Sequence, residues 1–171
     1  VASGIIMPRY PALAKKKALV LIDRTTGTNI GNMTSAGGLA AAFDGVTSQT
    51  SASCALLGSA TNAFVGKTLA ASRAFGQAVV FGSNNAGYVA GAGTPAVTLT
   101  VYGKQGAAPS SGTNGTALGS ISFSDTSNES TGRTIASTDL GTVWDHLWIY
   151  VAQGGSAANM FVAELQLYAW E

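Results

Sequence analysis

The sequence predicts an all-β jelly-roll sandwich of about eight antiparallel strands, preceded by an extended N-terminal arm. Three observations lead there. β-Branched and aromatic residues fall in short runs between clusters of Gly, Ser, Thr and Asn, which is the strand and turn chemistry of an all-β chain. Several runs alternate apolar and polar residues with period two, so that one set of side chains lines a core face. No long stretch of helical period competes with them. A count near eight suits two packed sheets wired as a Greek key or jelly roll.

With 171 residues, the chain suits one domain whose core does not require disulfides or metals. Its single cysteine, Cys54, cannot form an internal disulfide and reads as a small buried apolar residue. Charged residues make up 10% of the chain and the net charge is +1. That leaves little electrostatic reach, which argues against a nucleic-acid binder built on phosphate neutralisation. No apolar run approaches the ~18 residues of a membrane span, and no charged-then-apolar leader opens the sequence, so a soluble chain without membrane insertion is expected.

Residues 1–17 read as the arm: Pro8 and Pro11 withhold backbone donors and bias their predecessors to extended geometry, and Lys15, Lys16 and Lys17 form a solvated turn. Residues 18–171 form the predicted domain. Its first strand covers Ala18 to Ile22, and a polar loop from Arg24 to Gly38 leads into Leu39 to Phe43, a short apolar turn or strand ended by the turn pair Asp44-Gly45. Strands follow over Ala63 to Ala70 and Gln77 to Gly82. Pro95 closes the next loop, and Ala96 to Gly103 is the clearest alternating strand, with Val97, Leu99 and Val101 on one face. Lys104 to Gly119 reads as a long exposed loop. Ile121 and Phe123 share a strand face, and polar SDTSNESTGR leads to the closing pair. There Leu147, Ile149 and Val151 alternate with His146, Trp148 and Tyr150, then Phe161, Ala163, Leu165 and Leu167 with Val162, Glu164, Gln166 and Tyr168.

Catalytic constellations are scarce. His146 is the only histidine, and adjacent Asp145 points to the opposite face of the strand, so no nucleophile–base–acid arrangement emerges. One His and one Cys cannot build a zinc site of several N/S ligands. Gly66-Lys67-Thr68 ends like a phosphate-binding loop, but Thr61 stands where the first glycine is required. Asp44 and Glu164 keep three roles open: acid and base for glycoside hydrolysis, hard oxygen ligands for calcium, or a turn cap and a solvent-facing acid.

The order AAFDG (41–45), FVGKTLAASRAFGQAVVFGS (64–83), VTLTVYG (97–103), WDHLWIYV (144–151) and AELQLYAW (163–170) resembles the discoidin, or coagulation factor 5/8 type C, family of galactose-binding-like β-sandwiches. The resemblance covers residues 40–171. It departs from the family pattern at Phe64, at Thr68-Leu69-Ala70 and at Asp145-His146-Leu147-Trp148. It implies a structural calcium ion held by Asp44, Glu164 and the Ala163 carbonyl. No cluster of arginine and aromatic residues on one loop marks a sugar site, and Tyr88 is the best exposed candidate for stacking on a carbohydrate. The low charge and proline-bearing arm are similar to versions of this sandwich in tailed-phage virions. That likeness implies a non-catalytic decoration or fibre protein on the virion surface, binding other virion subunits or copies of itself and a cell-surface glycan. Its contacts would come from His146, Trp148 and Tyr150 on an outward stripe and from Tyr10 in the arm. The alternative is a secreted, calcium-containing carbohydrate-binding module attached to a glycan-active system.

Overall fold

The computed structural model describes residues 17–90 and 95–171. The expected arm, apart from Lys17, and Tyr10 lie outside the described residues.

The described chain is a β-sandwich of antiparallel strands: β1 (Leu19–Leu21), β2 (Thr28–Gly31), β3 (Ser35–Ala36), β4 (Ala55–Ala60), β5 (Asn62–Phe81), β6 (Ala96–Lys104), β7 (Thr116–Ser124), β8 (Arg133–Ala136), β9 (Val143–Gln153), β10 (Ala158–Val162) and β11 (Glu164–Trp170). A single helical turn, α1 (Gly38–Ala41), replaces the turn or strand expected at Leu39 to Phe43. The strands expected over Ala63 to Ala70 and Gln77 to Gly82 are one, β5, which runs through the exposed stretch Ala70–Arg73.

That long strand serves both layers. Its first half pairs with β2 and with β9, in the register Phe64↔Tyr150, Gly66↔Trp148 and Thr68↔His146. The pairing with β9 shifts register between Thr68 and Arg73, and the second half of β5 pairs with β11 and β8. β9 continues the first layer to β6 and β7. β1 adds to β11, so the second layer reads β1-β11-β5-β8. β3, β4 and β10 form a small separate sheet.

The core lies between the layers. β6 buries Val97, Leu99 and Val101, β9 buries Leu147, Ile149 and Val151, and Ala78, Val80, Ile135, Leu165 and Leu167 meet them from the other side in one contiguous cluster. Each of these larger side chains contributes about 1.5–3 kcal/mol on removal from water. The last predicted strand is divided: from Met160 to Leu165 every residue is buried, because the chain passes there from the small sheet to the large one at Ala163. Two-sided burial erases the expected alternation at this corner.

Candidate functional site

The corner at Ala163 faces the Asp-Gly turn. Gly45 has φ 86°, a left-handed conformation that suits glycine, and a Cβ there would run into the Arg24 guanidinium. The turn directs the Gly45 N–H to Glu164 Oε2 at 3.0 Å, while the Val46 N–H donates to Asp44 Oδ1 at 2.8 Å. The structure therefore brings together Asp44, Ala163 and Glu164.

It also adds a residue that the sequence did not single out. The side-chain amide nitrogen of Gln49, which is buried, lies 2.9 and 3.0 Å from the two Asp44 oxygens, 3.2 Å from Val46 O, 3.2 Å from Ala163 O and 3.3 Å from Ala41 O. Nothing in the sequence distinguishes this glutamine within its Ser/Thr-rich loop. The arrangement does not fit calcium. Calcium sits about 2.3–2.6 Å from each of six to eight oxygens, whereas the oxygens around the Gln49 nitrogen stand off at 2.9–3.3 Å, close to the usual N–H···O spacing. Among the described residues, no group of three or more His, Cys, Asp or Glu side chains could hold a metal ion.

Glu164 is fully buried, and its Oε1 has no hydrogen-bond partner among the described residues. Burial pushes its carboxyl up to about 7, against the opposing effect of the Gly45 N–H and Arg24 and with a smaller contribution from the Asp44 charge. A raised acid suits proton donation, but the pocket lined by Glu164, Arg24, Phe43 and Lys67 measures only about 10 Å³. That is room for a water and not for a sugar ring. The geometry gives no support to hydrolysis by Asp44 and Glu164.

Tyr88 is not a surface platform. It is fully buried, its hydroxyl donates to Val80 O at 2.6 Å, and its ring meets Phe123 edge-on at 5.6 Å. Burial raises its phenol far above the ordinary range. A lone large side chain in a polar loop suggested exposure, but the bridge between Val89 and Met160 draws that loop into the core.

The outward stripe of β9 is likewise covered, and by the chain itself. Trp148 is fully buried: its Nε1 donates to Gly112 O at 2.7 Å and its ring stacks on Tyr102 at 5.7 Å. His146 uses both ring nitrogens, Nε2 with Gly106 O and Nδ1 with Thr68 Oγ1, each at 2.8 Å. The carbonyl acceptor assigns the proton to Nε2, so the Thr68 hydroxyl donates to Nδ1. Asp145 Oδ2 accepts the Gly106 N–H at 2.7 Å. Thr116–Gly119, expected to belong to the exposed loop, are part of strand β7, and residues 105–115, exposed as expected on their outer side, fold as a flap onto β9. Gly112 and Gly115 permit its close approach, since a Cβ at either would enter the Tyr150 or Trp148 ring. Tyr150 alone of the stripe stays partly exposed. Neither the arm nor a second chain is needed to cover Trp148 and His146.

A buried polar cluster lies in the segment read only as a polar connection. Asp125 Oδ2 accepts the N–H groups of Tyr88 and Val89 at 2.9 and 2.8 Å, and desolvation pushes its carboxyl up to about 6 despite them. Beside it, Arg133 holds Glu129 through two hydrogen bonds, Nε to Oε2 at 2.8 Å and Nη2 to Oε1 at 2.6 Å, and lies 4.2 Å from the centre of the Phe123 ring. This cluster anchors the loops around Tyr88. Elsewhere, a cleft of about 180 Å³ opens between β1, the exposed stretch of β5 and the end of β11; Leu21, Asp23, Thr26, Leu69, Arg73 and Glu171 line it.

Neither a protein-family model nor a curated protein matches the sequence. Solved structures do match. A family 32 carbohydrate-binding module (CBM32) of AlyQ, in complex with 4,5-unsaturated mannuronic acid, aligns at a TM-score of 0.60 with 9% identity over 86% of this chain and 97% of that one. The family 32 module from C. perfringens NanJ, in complex with galactose, aligns at 0.57 with 11% identity over 88% and 99%. A fucolectin from striped bass (Morone saxatilis) serum aligns at 0.61 with 11% identity over 88% of this chain and 49% of that one. At these identities the likeness is one of fold. The chain shares its β-sandwich fold with these two modules and this lectin.

Proposed function

We propose that this protein is a non-catalytic carbohydrate-binding and adhesion module. The observation that carries the reading is the sandwich itself, shared across almost its whole described length with modules solved in complex with a sugar. The chemistry of the site supports it: the only histidine is committed at both nitrogens, and Glu164 is sealed from any substrate-sized space. The cleft of Asp23, Thr26, Arg73 and Glu171 is the place assigned to the sugar. Leu21 and Leu69 give it apolar surface, while carboxylate, hydroxyl and guanidinium groups can hydrogen-bond sugar hydroxyls. A glycan array with the wild-type protein and Arg73→Ala tests this. Binding to a defined glycan class that Arg73→Ala weakens at least about tenfold, with unchanged melting, is expected; no binding across a broad array refutes the reading.

A second reading places the module on a virion surface as a decoration or fibre subunit. The edge strand β1 favours it. β1 pairs only with β11 among the described strands, and Leu19, Val20 and Leu21 are 37–42% exposed, with exposed Leu140 beside Trp170 on the neighbouring strand. Light scattering distinguishes the two, since a subunit of this kind self-associates and a clean monomer at high concentration counts against it.

A further inference from the structure

The oxygens of Ala41, Asp44, Val46 and Ala163 are drawn toward one point from segments far apart in the chain, and the Gln49 amide nitrogen stands at that point. We infer that Gln49 is a built-in replacement for a divalent cation, pinning the Asp-Gly turn to the Ala163–Glu164 corner so that the domain holds its fold without metal.

Four features carry this. The first is size: the oxygens stand off at 2.9–3.3 Å, a spacing set by N–H donors and too wide for calcium. The second is coordination, because Glu164 does not reach the centre and takes its one polar contact from the Gly45 N–H instead. The third is charge. Arg24 packs at Gly45 and lines the small pocket beside Glu164, so a protein cation stands where the turn meets the corner, while the buried Lys67 ammonium is bonded to Thr26 O instead. The fourth is the character of the bond network. An amide carries two hydrogens, so its contacts are shared, and the two shortest go to the charged Asp44 oxygens, where a hydrogen bond is strongest. Gln49 thereby joins residues 114 apart in sequence, the linkage a bound ion would otherwise make.

The inference predicts indifference to calcium. Thermal unfolding of the full chain is recorded in millimolar calcium chloride and in chelator, together with calorimetric titration of calcium alone. The wild-type melting temperature is expected to be the same in both, with no binding heat. Gln49→Ala removes the donors and should lower it by roughly 4–8 °C in chelator. Gln49→Glu replaces the donors with a carboxylate set against Asp44, and should be destabilised in chelator and in calcium alike. A wild-type protein that binds calcium and gains several degrees from it overturns the inference, as does a Gln49→Ala protein as stable as wild type in chelator. If neither variant can be produced folded, the two wild-type measurements alone decide.

Discussion

Replacing Trp148 with Phe tests whether the flap is a structural part of the domain. The substitution keeps an aromatic ring against Tyr102 but removes the indole N–H that donates to Gly112 O at 2.7 Å in a fully buried setting. Leaving the Gly112 carbonyl without its donor costs about 1–3 kcal/mol. The smaller ring also leaves a void where Gly112 and Gly115 have come close to fit the larger one, so a total of about 2–4 kcal/mol is expected. For a chain of this size that corresponds to a melting temperature lower by roughly 4–16 °C. Urea unfolding measures the total, and hydrogen exchange locates it: amides of residues 105–115 should lose protection in Trp148→Phe before those of β6 and β9 do. A variant within about 0.5 kcal/mol of wild type, with the flap amides unchanged, would show that the Trp148–Gly112 bond does not hold the flap.

Asp125 supplies a pH effect. Its carboxyl titrates near 6 in the folded protein against an ordinary value of 3.8, so the folded state holds the extra proton between those values and stability falls as pH rises through that window. The ionised form costs about 3 kcal/mol at neutral pH, and denaturant midpoints of Asp125→Asn, whose amide oxygen can still accept from Tyr88 and Val89, should show a flatter profile from pH 4 to 7. Removing the partner of Glu129 by Arg133→Ala should cost about 2–3 kcal/mol in urea titrations, because it strands a buried carboxylate whose partner is itself about one-third exposed. Glu129→Gln together with Arg133→Met should recover part of that loss.

The parts of the fold written in period two were legible. β6 is the clearest instance: Val97, Leu99 and Val101 fall on the core face that their alternation predicts. Leu147, Ile149 and Val151 do so as well. Legibility fails where both faces of a strand are covered, since Trp148 and His146 alternate correctly yet are buried beneath a loop that is itself exposed, as its Gly/Ser-rich composition signals. β2 and β3 are short strands in a polar loop, and β8 is only Arg133–Ala136, so none presents a period to detect. β5 reads as two strands because its middle, from Ala70 to Arg73, is exposed on both faces. At the Asp-Gly turn, the resemblance groups Asp44, Ala163 and Glu164 as calcium ligands, and the structure sets them near one another. The residue at the centre, Gln49, is defined only by oxygens that meet in three dimensions.

The pairing of β1 with β11 has a mechanical consequence. Ala18 and Glu171 exchange backbone hydrogen bonds in both directions, at 2.9 and 3.0 Å, so positions 18 and 171 lie side by side at one end of an antiparallel ladder. Tension applied between them would load that ladder one bonded pair at a time, like a zipper, instead of stressing all its bonds in parallel. β1 would peel first, under low force, while the layers joined through β5 stay closed, and the domain would lengthen by a strand before it lost its core.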